Sequence, residues 1–157
     1  KAGKEAIVGA VAALEAWGAR DHKAEAAREA AIVAGWLAAL DGLPGVTASP
    51  HCDWTGNPIT RVRLKLSPGA RLHAWELAER AMAGNPVVAL RDDLSMHQLV
   101  FLDPCNVTAA EAVLVSDRIR QVCHAALTSG DGCKRSWSEE KATRGHAATD
   151  WIGRGDA

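Results

Sequence analysis

Thr60-Arg61-Val62-Arg63-Leu64-Lys65-Leu66 decides the fold class of this chain. Val62, Leu64 and Leu66 alternate strictly with Arg61, Arg63 and Lys65, and successive side chains of an extended backbone point to opposite faces. Such a strand has one face on a core and one in water, as antiparallel sheets do. Working outward, residues 46–49 read as a short strand followed by a polar loop over 50–58. Residues 87–91 and 99–102 read as two more strands around a turn at 92–96. About four strands are therefore predicted, mostly antiparallel.

Helical patterns flank them. Ile7, Val8, Val11 and Leu14 form one apolar stripe, and Ile32, Val33, Trp36, Leu37 and Leu40 form another. Asp21 is placed to cap a second helix, so residues 4–41 read as two helices or one bent helix, closed by Gly42 and the Leu43-Pro44-Gly45 turn. His73 and Glu76 make a loose capping box for a helix over 73–83, which Gly84-Asn85-Pro86 stops. Thr108-Ala109-Ala110-Glu111 is a full capping box opening a helix to about Leu127, with Val113, Ile119, Val122 and Ala126 as its expected buried face. Beyond Ser129 the periodicity ends, and a disordered tail is expected. The predicted organisation is a helical segment at 1–41, an α/β (α+β) small domain at 42–128 with helices on one face of the sheet, and a tail at 129–157.

The 157 residues suffice for one domain with a core, and a net charge of −1 gives no basic field for nucleic acid. No apolar stretch approaches the roughly 20 residues of a membrane span. No signal peptide is visible, and the four cysteines, without a C-x-x-C pair, read as reduced thiols, so a cytoplasmic protein is expected. The first residue is Lys rather than Met, so a truncated or processed amino terminus is expected.

Chemistry is sparse. His51, Cys52 and Asp53 are adjacent, as are Cys123 and His124, but neighbouring side chains diverge and no ligand spacing supports a metal. There is no nucleophile elbow and no glycine-rich phosphate loop. Arg91 stands out, at the end of the apolar run Val87-Val88-Ala89-Leu90 and beside Asp92, Asp93 and His97. A guanidinium fork at a strand end suits capture of a carboxylate or phosphate. The same placement suits a local salt bridge to Asp92 or Asp93.

A family resemblance adds to this. Lys1, Gly3, Lys4, Glu5, Ile7, Gly9, Ala13, Leu14 and Glu15 resemble the K-x-G-K-E-x-I-x-G-x-x-x-A-L-E stretch of selenocysteine-synthase-like proteins. Arg20-Asp21-His22, Leu43-Pro44-Gly45-Val46, Gly84-Asn85-Pro86-Val87 leading to Arg91, and Leu102-Asp103-Pro104-Cys105-Asn106-Val107 follow in order. The family consists of pyridoxal-phosphate enzymes of aminotransferase-like fold and includes D-glucosaminate-6-phosphate ammonia-lyase, whose side of the group the Asp103–Asn106 stretch resembles more than selenocysteine synthase. The resemblance implies the carboxy-terminal small domain of a lyase or transferase acting on an amino acid or amino sugar acid. It implies pyridoxal phosphate in the full-length enzyme, with the Schiff-base lysine, phosphate cradle and pyridine-facing aspartate all upstream, so Lys1 and Lys4 are not cofactor lysines and the chain alone is expected to be inactive. It implies a missing large domain, a homodimer or larger homo-oligomer, and Arg91 as the substrate-binding residue of this chain. The rival expectations are a cofactor-free binding or regulatory α/β module and a decayed gene product.

Overall fold

A computed structural model describes residues 3–53, 56–129 and 135–153, with side chains described as far as 145. The predicted alternating strand forms as β2 (Thr60–Leu66), with Val62, Leu64 and Leu66 almost wholly buried. It is the centre of a three-stranded antiparallel sheet, flanked by β1 (Val46–Cys52) and β3 (Leu99–Leu102). The register pairs Val46 with Leu66, Cys52 with Thr60, and Val62 with Leu102. β1 runs three residues further than expected, through Pro50. The strand tolerates it because β1 is an edge, where a missing N–H need not face a neighbour.

The fourth expected strand does not form. Arg91 alone bridges to Phe101, while the Val88 N–H turns away and donates to Ala81 O at 3.2 Å. That bond draws the segment toward the helix before it and buries Val88 there rather than in the sheet.

Two helices replace the ambiguous opening, α1 (Lys4–Ala19) and α2 (His22–Leu40), and the Asp21 carboxylate accepts from Ala24 N at 2.9 Å as its cap. Ile32, Val33, Trp36 and Leu40 of α2 pack on the inner face of the sheet. α3 (Ala74–Met82) starts where Glu76 accepts from the His73 N–H at 3.0 Å. α4 (Ala109–Thr128) lies beside α2, and the buried Trp36 Nε1 donates to Ala112 O at 2.8 Å between them. Its buried face is Ala112, Ser116, Ile119, Val122, Cys123 and Ala126, whereas Val113, expected inside, is exposed. Small residues at 112 and 116 let α2 and α4 approach, which turns the bulkier Val113 outward.

Two larger corrections concern the ends. The α1 stripe forms on schedule but is not buried against any described residue: Ile7, Val8, Val11 and Leu14 are 49 to 71% exposed. Residues 137–153, expected as disordered tail, form α5 (Trp137–Gly153). Its start is a capping box like that of α4: Glu139 accepts from Ser136 N at 2.7 Å, and the Ser136 hydroxyl accepts from Glu139 N at 3.4 Å. The Trp137 ring meets Trp75 at 5.4 Å, and Trp75 stacks on His73 at 4.2 Å. The rest of the expected tail, 130–134 and 154–157, and the motif residue Lys1 lie outside the described residues.

Gly45 fixes the entry to β1. At φ +72° its carbonyl accepts from Ser67 N at 2.8 Å, and an added Cβ would stand 1.8 Å from Ala70 N.

Candidate functional site

The alternation that buries Val62 and Leu64 puts Arg61, Arg63 and Lys65 on the sheet's outer face. Beside Arg61 on that face stand its cross-strand partner His51 and, on β3, Phe101, whose ring lies 5.1 Å from the His51 ring. Asp53, just past β1, and the Asp93-Leu94 turn close a pocket of about 280 Å³ around these residues and Arg91.

Arg91 reaches the pocket because its backbone is tied to β3 in both directions, N–H to Phe101 O at 3.2 Å and carbonyl from Phe101 N at 2.8 Å. Its Nε donates to Asp93 Oδ1 at 3.0 Å, with both side chains about half exposed. An exposed pair of this kind is worth about 0–1 kcal/mol. A second bond, from an η-nitrogen to Asp93 Oδ2 at 3.4 Å, makes the pair two-pointed but exposed, so a carboxylate or phosphate reaching the fork would take the place of the Asp93 carboxylate.

Arg61 was legible only as an outward side chain, and it is the residue sequence reasoning missed. Its side chain is 10% exposed, with Nε on Asp103 at 2.7 Å and an η-nitrogen on Asp53 at 2.8 Å. Hydrogen bonds to Asp53 and then Asp103 raise its pKa further, outweighing burial, so it stays charged. Asp103 is lowered: burial works against ionisation, but bonds from Cys105 and Arg61 prevail. The Cys105 thiol beside it is pushed up to about 12 by burial and by Asp103, so it is no nucleophile at neutral pH. The sequence signal was the acid following each flanking strand, Asp53 after β1 and Asp103 after β3.

A wider groove of about 370 Å³ runs between α2 and α4. It is lined by Ala31, Gly35, Trp36, Ala39, Ala109 and Val113 among others, and Arg28 at its edge is engaged by Glu25 and by Val107 O. Its lining offers packing rather than chemistry.

His51, Cys52 and Asp53 do not converge; among the described residues no three metal-ligating side chains come together. No helix among them is long and apolar enough to cross a membrane. The described residues do not fit a pyridoxal-phosphate site either. Lys4, Lys23, Lys65 and Lys141 are all exposed, and no lysine lines the polar pocket or the apolar groove.

No family model matches the chain. Over 93 residues it is 36% identical to a 5'-C-glycyluridine monooxygenase-decarboxylase from Streptomyces sp, a match spanning 59% of this chain and 23% of that protein. The solved structure of D-glucosaminate-6-phosphate ammonia-lyase superposes with a TM-score of 0.65 at 26% identity, over 81% of this chain and 34% of that one. The chain thus spans a minor part of each relative, and its α/β fold is similar to a domain-sized part of an ammonia-lyase.

Proposed function

We propose that this chain is the small domain of a pyridoxal-phosphate lyase or transferase acting on an amino acid or amino sugar acid, closer to the ammonia-lyase than to selenocysteine synthase. The carrying observation is the fold match, which takes in 81% of this chain but 34% of the ammonia-lyase. The exposed stripe on α1 supports it, because an apolar stripe with no cover among the described residues calls for another body to cover it. The large domain is that body in this reading, within a homodimer or larger assembly.

The cofactor, when bound in the large domain, supplies an electron sink for bond breaking at the substrate's amino-bearing carbon. This chain's part is orientation. Arg91 receives the substrate carboxylate or phosphate through its fork, releasing Asp93. The Arg61 triad holds the pocket floor, and Phe101 and Leu94 limit water at its wall. No proton transfer is assigned to this chain.

The test begins with the reading frame upstream of the Lys1 codon, which should encode a large domain containing a cofactor lysine. In that complete enzyme, Arg91→Ala should lower kcat/KM at least about tenfold, or about 1.4 kcal/mol, with Arg91→Lys intermediate. Unchanged kinetics would remove Arg91 from the site, and a stop codon directly upstream would sink the domain reading.

A further inference from the structure

The start of α5 is anchored to the loop that carries Arg91. Glu140, 5% exposed, is the buried centre of the contact. Its carboxylate takes Arg144 Nε at 2.7 Å and lies 3.1 Å from the Arg135 guanidinium. Arg135 also pairs with Glu79 on α3, and Arg144 reaches out to Asp92 at 2.7 Å. Asp92 is the residue after Arg91, and its carbonyl accepts from Ser95 N at 2.9 Å.

We infer that Arg144 is a positioning residue for Arg91: it engages the Asp92 carboxylate, so that Arg91 faces only the exposed Asp93. This rests on the reading of Arg91 as the anion-binding residue. Asp93 pairs with the Arg91 guanidinium, while Asp92, the next residue in the chain, faces α5 from the adjoining pocket; left unpaired so close by, its charge would repel an incoming anion. Arg144 neutralises that charge. The Asp92–Arg144 pair is the less exposed of the two, at 31% and 39% against 50% and 52% for Arg91 and Asp93. The assignment of partners therefore leaves the more exposed pair at the pocket. The same contact fixes the loop, since Asp92 is held by its side chain from α5 and by its carbonyl from Ser95.

The experiment follows the Arg91 Nε–H signal by NMR while inorganic phosphate is titrated into the full chain, assigned with Arg91→Lys. Wild type, Arg144→Gln, Arg144→Lys and the double variant Arg144→Gln/Asp92→Asn are compared, with amide exchange at Arg91, Ser95 and Phe101 measured in parallel. Arg144→Gln should weaken phosphate at least about threefold and speed exchange at Arg91 and Ser95, with Arg144→Lys falling between. The double variant should regain phosphate affinity, because the unneutralised charge is gone; a merely structural role would not be rescued this way. If wild type responds to phosphate and Arg144→Gln binds equally well, or the double variant is no better than the single, Arg144 has no such role. A wild-type Arg91 signal indifferent to phosphate would instead overturn the anion-site reading itself and this inference with it.

Discussion

Arg61 shows how much a single side chain decides here. It lies on the water side of β2, yet Asp53 and Asp103 hold it from both neighbouring strands. A cation held by two carboxylates is costly to break, because removing the guanidinium leaves both acids facing each other. Arg61→Met should destabilise the domain by about 3 kcal/mol in urea unfolding, whereas an effect under about 1 kcal/mol would make the triad a surface ornament. The acid response follows from Asp103, whose pKa lies below its ordinary 3.8 in the folded chain. A carboxyl depressed by folding stabilises fully above the unfolded value and loses that contribution as pH falls through the folded one. The melting temperature should thus fall below about pH 4, and more gently in Asp103→Asn, whose neutral-pH stability is already lower. The alternation of β2 made Arg61's direction legible. Its partners were not, because they lie 8 and 42 positions away and local spacing carries no such pairing.

At the scale of elements, short-range chemistry was readable and cover was not. Asp21, Glu76 and the Thr108/Glu111 box each act across a few residues, and each appears where the sequence put it. Ser136 and Glu139 carry the same signal as Thr108 and Glu111, but it was masked by the Gly-, Ser- and charge-rich composition around it. Thr108→Ala should cost about 1 kcal/mol, read as a lower urea midpoint with an unchanged slope, and Thr108→Ser should largely preserve stability. The expected strand at 87–91 failed for a different reason. A short apolar run specifies burial, not the surface that buries it, and Val88 is tied to α3 through Ala81 rather than to β3. Arg91 was legible as a candidate by its neighbours; the pocket around it required the sheet register.

For the whole molecule, the exposed stripe of α1 is the main exception to a well-covered core. Apolar faces of this size in solution bind one another or a partner. The isolated chain should therefore take up a hydrophobic dye or self-associate at micromolar concentration, and Val8→Lys/Leu14→Glu should suppress both. Because neither residue is buried in the chain, that double variant should shift unfolding free energy by no more than about 0.5 kcal/mol. A large loss of stability would mean that the stripe packs inside the chain after all.

The joint between α1 and α2 is short: Arg20 and Asp21 alone depart from helical backbone, with φ, ψ of −75°, 136° and −76°, 87°. It is braced from both sides, by His22 Nε2 against Trp17 O at 2.9 Å and by Arg20 on Glu25 at 2.8 Å. The 16 residues of α1 make a rod of about 24 Å, so a change of about 10° at this joint sweeps the far end through about 4 Å. The helix is then a lever whose fulcrum is two residues long. Whatever body grips α1 is therefore positioned, by those two residues, against α2 and the sheet on which α2 packs.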